Sequence, residues 1–409
     1  MIFKNQFGFR KGHSTSHAIT ALTEIVRSSL DKTEFSAAVF LDFQKAFDTV
    51  DHNILLQKLC HYGVRGVALK VFESYLKNRS QCVVINDAQS NYHEVKHGVP
   101  QGSVLGPLMF IIYINDLHNS VCYSTSIHFA DDTSLVFTEE SLKELNRKVN
   151  RDLALLVHWL RANKISLNAS KTEIILFRTI RTKITKHLNF RLSGQQIKPS
   201  HHAKYLGVFI DENLSWDTHL LKLSQKLAST VGILSKLRHY VDYKTLLSVY
   251  YSLFESHVNY CLPFLGFTTR ERLNRIEKLQ NKALRIIHFK NQRESVLPLY
   301  INSRILPITK QRSLKNCLFA FDFFNKKLPA YFDNFLRKLG EVHNTRNYQL
   351  DITITNSVTY GSYNIPNLVT KDWNSLHSKL DIDLSSASKS TLKNHLRSFI
   401  LTSMAENSS

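Results

Sequence analysis

Two adjacent carboxylates, Asp131 and Asp132, are the residues whose types and spacing most directly suggest chemistry. The apolar stretches on either side are rich in β-branched and aromatic residues, and each predicts a strand. Asp tolerates the backbone angles of a tight turn, so the pair is predicted to form the turn of a hairpin. Neighbouring carboxylates repel and are costly to bury, and Mg²⁺ would remove that cost. Taken alone, however, the pair is more typical of a solvated turn.

A third carboxylate, Asp42, follows a continuous apolar run at residues 37–41. Such a run predicts a strand that is buried on both faces, with its terminal carboxylate at the rim of a sheet. Asp51 is predicted to N-cap a helix that Gly63 stops, and Asp48 to have a turn or capping role. Neither of these two is proposed as a metal ligand.

Two glycine-containing loops are candidates for ligand contact: the first could contact phosphate, and the second could allow close approach to the backbone. Residues 5–15 carry two glycines with Arg10 and Lys11, and precede a helix predicted from about Ser16. Residues 98–107 carry three glycines and two prolines, and precede a strongly apolar helix predicted at 108–117. The second loop is therefore expected to be rigid. For residues 5–15 the alternative is an ordinary surface loop, and for residues 98–107 it is a structural turn.

The remaining pattern predicts a helix at 141–162, a strand at 173–177, one strand with an internal glycine at 204–211, and helices beyond. On one later helix, four basic residues fall within roughly 80°, at about 100° per residue. They are Arg275, Lys278, Lys282 and Arg285, and a solvated basic face is the alternative to a binding surface. The Ser/Thr-rich tail begins near Ser385, and residues 404–409 are predicted to be frayed.

The net charge of +20 is unevenly distributed. Residues 1–180 carry 20 Lys and Arg against 17 Asp and Glu, whereas residues 181–409 carry 33 against 16. This imbalance favours a polyanionic partner, and the lack of a long hydrophobic face disfavours a membrane. The N-terminus lacks a signal-peptide pattern. The five scattered cysteines predict a reducing compartment without structural zinc.

Together these motifs resemble, in order, those of reverse transcriptases from non-LTR (LINE-type, jockey-like) retrotransposons. The resemblance implies an α+β fold with a right-hand polymerase palm, in which helices cover an antiparallel sheet, then an α-helical thumb and a C-terminal helical region. It implies a fingers remnant at residues 1–35, a palm at 36–211, a basic thumb at 212–300 and a region of unknown role at 301–409. The matching segments are residues 5–15, 40–48, 98–107, 129–132, 171–172 and 205–207.

The resemblance implies RNA-directed DNA synthesis on an RNA template, from a DNA primer and deoxynucleoside triphosphates. Two Mg²⁺ ions, or Mn²⁺, about 3.5–4 Å apart would support the in-line phosphoryl transfer. Asp42 and Asp131 are the implied ligands, with Asp132 a weaker partner and Lys171 a proton donor to the pyrophosphate. The implied nucleotide contacts are Phe43, Phe47 beside the sugar 2′ position, Gln101 and Gly102. The implied primer or template contacts are Arg10, Tyr205, Leu206, Gly207, Arg275, Lys278, Lys282 and Arg285.

The family's basic finger strands and its endonuclease have no counterpart here, so the chain is expected to be an N-terminally truncated copy and a slow polymerase. A catalytically impaired remnant that only binds nucleic acid is the alternative. The three intact aspartates disfavour a structural protein without a nucleic-acid role. The sequence does not choose between nucleus and cytoplasm.

Overall fold

The computed structural model describes residues 2–182, 188–262, 270–338, 349–351, 360, 364–377, 379–380 and 387–406. The described chain mixes helices with strands and divides into two compact units, Met1–Leu206 and Gly207–Ser409. Within the described residues, no helix is long and apolar enough to cross a membrane. The described cysteine side chains, Cys60, Cys82, Cys122 and Cys317, are free thiols.

The described part of the first unit contains five longer helices and the strands of the main sheet. In chain order its elements are α1 Thr15–Asp31, β1 Phe35–Leu41, α2 His52–His61, α3 Val67–Leu76, β2 Ser80–Gln81, β3 Val84–Ile85, β4 Ala88–Gln89, β5 His93–Glu94, α4 Leu105–Tyr113, β6 Thr125–Phe129, β7 Asp132–Glu139, α5 Leu142–Ala162, β8 Glu173–Phe177, β9 Phe190–Leu192, β10 Gln195–Ile197 and β11 His202–Tyr205.

The main sheet is antiparallel and has the order β6-β7-β1-β8. Side chains alternate along β1, and Ala37, Val39 and Leu41 join the core cluster that includes residues of α2, α4 and α5. Helix α1 packs against β1, β6 and β7 and contributes no residue to that cluster. Helices therefore cover both faces, and the prediction that residues 37–41 form a doubly buried strand is confirmed.

Several predicted helix boundaries are confirmed by their caps. Ser14 caps α1 by accepting from His17 N, Asp51 caps α2 by accepting from Asn53 N and Ile54 N, and Ser141 caps α5. The helix predicted at 108–117 instead begins at Leu105 and ends at Tyr113. Pro107 is tolerated there because N–H groups in the first turn have no intrahelical acceptor.

The second unit is mainly helical. Its elements are β12 Val208–Asp211, α6 Asp217–Leu237, α7 Tyr243–Val249, a π-helical turn Tyr250–Glu255, α8 Ser256–Cys261, α9 Arg270–Ile287, α10 Leu297–Ser303, α11 Ile308–Phe324, β13 Arg337–Lys338, β14 Leu350–Asp351, α12 Ile365–His377 and α13 Lys389–Glu406. Buried Gln280 of α9 donates to Tyr250 Oη and Leu306 O, each at 3.0 Å, so this polar side chain is satisfied within the helical core.

Two sequence predictions are corrected here. Residues 204–211 do not form one strand, because Leu206 and Gly207 adopt left-handed φ values of 43° and 81° between β11 and β12. The tail is not frayed from residue 404, because α13 continues to Glu406 with Leu392, Leu396 and Ile400 buried. Residues 407–409 lie outside the described part.

Candidate active site

The β6–β7 hairpin carries the two adjacent carboxylates. Its last paired residues are Phe129 and Asp132, so the two turn residues are Ala130 and Asp131 rather than Asp131 and Asp132. Ala130 has a φ of 56°, as the first turn residue has in type II′ hairpins. The predicted hairpin is thus confirmed, but the turn lies one residue earlier and Asp132 opens β7.

The sheet register brings Asp42 to the same rim. Leu41 pairs with Thr133, so Asp42 follows β1 where Asp132 begins β7. Burial and then the negative charge of Asp42 raise the pKa of Asp131. Asp132 is more exposed, yet desolvation, followed by the charges of Asp131 and Asp42, raises its pKa to about 6. The three carboxylates therefore interact as a like-charged group.

The donor set fits a Mg²⁺ site that is completed by substrate. Among the described residues, no group of three or more His, Cys, Asp or Glu could by itself hold a metal ion. Mg²⁺ in nucleotide-handling sites is usually bound by one or two carboxylates plus phosphates and waters rather than by an all-protein cage. The mutual repulsion at Asp42, Asp131 and Asp132 is the interaction that a divalent cation would relieve.

Lys171 lies in a loop attached to the backbone of Asp42. Asn168 N donates to Asp42 O at 2.8 Å, and Lys171 N donates to Asn168 O at 3.1 Å. Phe43 forms an isolated bridge with Leu167, but its side chain is only 7% exposed and belongs to the core cluster. Lys171 is therefore exposed, in a loop joined to this rim. The Phe43 side chain is buried, so only its backbone is available to contact a nucleotide.

Phe47 is fixed by two aromatic rings that the sequence did not single out. Its ring stacks on Phe110 with a centroid distance of 4.4 Å, and Phe9 meets it edge-on at 6.2 Å. Phe110 is fully buried, while Phe9 is 58% exposed. A buried ring thus supports Phe47 from behind. Only the structure reveals these partners, because Phe9 and Phe110 lie on distant segments.

The loop at residues 98–107 lies on the turn that follows Asp42. Val99 N donates to Phe47 O at 2.8 Å, and Gln101 Nε2 donates to Asp48 Oδ1 at 2.7 Å. A Cβ on Gly98 would stand 2.8 Å from Asp48 O, so close approach requires glycine there. Gln101 and Gly102 are both exposed. Asp48, predicted only as a turn or cap residue, thus also orients Gln101.

Residues 1–210 match the family described as "Reverse transcriptase (RNA-dependent DNA polymerase)". The chain belongs to this family. It is 30% identical over 299 residues to the "Probable RNA-directed DNA polymerase from transposon BS" of Drosophila melanogaster, covering 69% of this chain and 32% of that protein. It is 28% identical over 314 residues to the "RNA-directed DNA polymerase from mobile element jockey" of the same species, covering 74% and 33%. The resemblance to jockey-like elements is therefore confirmed.

The chain spans about a third of the length of these curated relatives. Among solved structures, apo telomerase from Candida tropicalis is similar with 12% identity and a TM-score of 0.41, covering 77% of this chain and 52% of that one. A likeness at this level carries no argument about function.

Two residues that the resemblance places at the primer or template make contacts within the protein. Arg10 Nη1 donates to Phe3 O and Gln6 O, each at 3.0 Å, and burial lowers the pKa of its guanidinium. Tyr205 is 3% exposed, with its ring 5.2 Å from that of Phe40. The Tyr205 side chain is therefore buried beside Phe40 and not presented to solvent.

The buried Tyr205 hydroxyl lies near the Ser134 hydroxyl and the Asp132 carboxylate. Burial raises the pKa of this phenol. The next two residues, Leu206 and Gly207, form the left-handed segment, with Leu206 half-buried and Gly207 exposed. The primer contact of this motif stays a prediction, and Leu206 and Gly207 are the two residues of the motif that are not buried.

The predicted basic side of α9 is exposed at three of its four positions. Arg275, Lys278 and Lys282 are exposed, opposite the buried residues Leu273, Ile276 and Ala283. Arg285 is half-buried, and its Nε donates to Glu294 O at 3.0 Å. Three cations thus remain presented to solvent, while Arg285 fastens the end of α9 to the following segment.

Proposed function

We propose that the chain is an RNA-directed DNA polymerase that adds deoxynucleotides to a primer 3′-hydroxyl by two-metal nucleotidyl transfer. Its palm is assigned to residues 36–211 and its basic, helical thumb to residues 212–300. The observation that carries the proposal is the group of Asp42, Asp131 and Asp132 at the rim shared by β1 and β7, where each charge disfavours the next. Membership of the reverse transcriptase family over residues 1–210 supports it.

In this proposal Asp42 and Asp131 hold the metal, and Asp132 is a weaker partner. Bound Mg²⁺ or Mn²⁺ would polarise the phosphoryl oxygens and lower the pKa of the primer hydroxyl. Exposed Lys171, in the loop joined to Asp42 O, would donate a proton to the leaving pyrophosphate. The sheet register that brings Asp42 and Asp131 to one rim, and the backbone hydrogen bond that joins the Lys171 loop to Asp42, support these roles, because in-line transfer requires positioned groups.

The nucleotide would meet Phe47, Gln101 and Gly102. Phe47 would exclude a 2′-hydroxyl because Phe110 prevents its ring from retreating. Gln101 is oriented by Asp48, and Gly102 has open space around it. Phe43 would contribute through its backbone. These assignments place the selection of the sugar and of the base pair on two segments that hydrogen-bond to each other.

The proposed partners are an RNA template, a DNA primer and deoxynucleoside triphosphates. The names of the relatives support this template and this reaction, since both are described as RNA-directed DNA polymerases, one of them as probable. Exposed cations on α9 would bind the phosphate backbone without reading sequence.

Primer extension tests the proposal. The chain is incubated with a DNA primer annealed to an RNA template, the four deoxynucleotides and Mg²⁺, beside Asp131→Asn as the inactive control. Template binding is followed separately by fluorescence anisotropy. We expect extension by the unmutated chain alone and similar binding by both. Binding without extension would contradict the polymerase proposal and leave a nucleic-acid-binding protein.

A further inference from the structure

The segment that includes Gln6 forms an additional edge of the main sheet. His128 N donates to Asn5 O at 3.0 Å, and Phe7 N donates to His128 O at 2.7 Å. Gln6 and His128 form a parallel bridge. Asn5 Nδ2 also donates to Ser126 O at 3.0 Å. The segment is thus hydrogen-bonded along β6, the strand that leads into the turn bearing Asp131.

The Gln6 side chain reaches the turn itself. It is 2% exposed, and its Oε1 accepts from Ala130 N at 3.0 Å and from Gly8 N at 2.8 Å. Ala130 is the left-handed residue immediately before Asp131. One buried carbonyl oxygen therefore joins the backbone of Gly8 to that of Ala130, the residue that precedes Asp131 in the turn.

Gly8 and Arg10 complete this contact. A Cβ on Gly8 would stand 2.2 Å from Ala130 N and 2.9 Å from Phe129 C, so any other residue would displace the turn. Arg10 Nη1 holds the carbonyl oxygens of Gln6 and Phe3. Through these contacts, residues 6–10 support the Ala130–Asp131 turn. Every one of the contacts involves backbone atoms.

We propose that Gln6 is a positioning residue for Asp131: its Oε1 holds the Ala130–Asp131 turn so that the carboxylate is presented to the metal ion before substrate arrives. Gly8 N donates to the Gln6 side chain and Arg10 donates to the Gln6 carbonyl oxygen, so both residues fix the position of Gln6. An Asp131 carboxylate that moves by about 1 Å would lose much of its catalytic effect, since misplacement of that size can reduce a rate about 100-fold. The kinetic consequence rests on the proposed polymerase function, but the structural consequence does not.

The experiment compares the unmutated chain with Gln6→Met, which keeps the shape and removes the acceptor, and Gln6→Glu, which keeps an acceptor. Gln57→Met is the matched control, because Gln57 is exposed on α2. Hydrogen–deuterium exchange is measured without metal, on peptides covering residues 127–135 and on peptides from the rest of the chain. Binding of Mn²⁺ alone is titrated by electron paramagnetic resonance. Primer extension then gives kcat and the KM for the deoxynucleotide.

We expect Gln6→Met to speed exchange at the turn, to weaken Mn²⁺ binding about fivefold or more, and to lower kcat between about 10- and 100-fold while KM stays within twofold. Gln6→Glu should recover slow exchange, and Gln57→Met should match the unmutated chain. A residue needed only for folding would not lower kcat while exchange elsewhere stays unchanged.

If Gln6→Met is insoluble, Gln6→Asn replaces it, since that side chain is one methylene too short to reach Ala130 N. Turn exchange and Mn²⁺ affinity equal to those of the unmutated chain would overturn the inference. If the unmutated chain extends no primer, the polymerase proposal fails, while exchange and Mn²⁺ binding still decide whether Gln6 positions Asp131.

Discussion

The rim that carries Asp131 and helix α9 handle charge in opposite ways. At the rim, three carboxylates of one sign lie together, and burial and mutual repulsion raise the pKa values of Asp131 and Asp132. On α9, Arg275, Lys278 and Lys282 remain exposed to water. At the rim, the protein thus keeps carboxylates that repel each other, and a bound divalent cation would relieve that repulsion. On α9, the cations are solvated by water and could bind any polyanion.

Removing a carboxylate from the rim should have the largest effect. Asp131→Ala is expected to lower primer extension about 1,000-fold or more, because metal-ion stabilisation contributes several kcal/mol to a phosphoryl transfer. Template binding, measured by anisotropy, should change little. Asp87→Ala, at an exposed position in the loop between β3 and β4, is the control. An Asp131→Ala chain that still extends primers would remove the rim from the catalytic site.

The sugar contact should give the next largest effect. Phe47→Ala or Phe47→Val should raise the ratio of ribonucleotide to deoxynucleotide incorporation about 10- to 100-fold, as loss of steric exclusion in a pocket typically does. Competition between the two nucleotides in single-addition assays measures that ratio. Phe110→Leu removes the ring on which Phe47 stacks but keeps the Phe47 ring itself. It should therefore give a smaller rise in the incorporation ratio. An unchanged ratio in the Phe47 variants would place Phe47 outside the sugar pocket.

The α9 cations should act through salt dependence rather than turnover. Changing Arg275, Lys278 and Lys282 to Ala should reduce the slope of log affinity against log salt by about 2, since each contact to a single strand contributes about 0.7. Arg285→Ala should leave the slope nearly unchanged and lower stability, because its Nε donates to Glu294 O.

Lys32, Lys143 and Arg151, which are exposed in the first unit, provide a charge-matched control triple. Equal loss of slope in the two triple variants would mean that the chain binds nucleic acid through its overall charge, without a defined surface on α9.

The smallest effect concerns stability and pH. His128 is 1% exposed, and burial, together with the charge of His118, lowers its pKa to about 3 from 6.5. The unfolded chain therefore binds more protons here, so this contribution to stability is complete above about pH 6.5 and is lost as the pH falls towards 3. His128→Leu should flatten the fall in the free energy of unfolding between pH 7 and 4, measured with urea.

Asp132 acts in the opposite direction, because its raised pKa makes the folded state less favourable as the pH rises through about 4 to 6. The unmutated chain and His128→Leu both retain Asp132, so the difference between their free energies of unfolding reports His128 alone. Exposed His158→Leu is the control. Parallel curves for the unmutated chain and His128→Leu would show that His128 protonation does not limit acid stability.

Local sequence signals predicted many elements correctly. Apolar periodicity located α1 and α5, the predicted Asp51 cap located the start of α2, and the continuous run at 37–41 located β1. These predictions succeeded because caps and amphipathic faces depend on residues a few positions apart. Predictions that depended on pairing were less accurate. The hairpin turn lies at Ala130 and Asp131, one residue before the predicted position, and residues 204–211 belong to two strands.

By itself, the sequence of this protein determined its family, its candidate metal ligands and the elements that carry them, because motif order and local periodicity are both written along the chain. The tertiary structure alone revealed that Gln6 reaches Ala130, that Phe110 supports Phe47, and that Tyr205 and Arg10 are engaged inside the protein. Residues 6 and 130 are far apart along the chain, and no local pattern encodes which buried acceptor satisfies a given N–H. That choice is made only when sheet register and packing bring the two segments together.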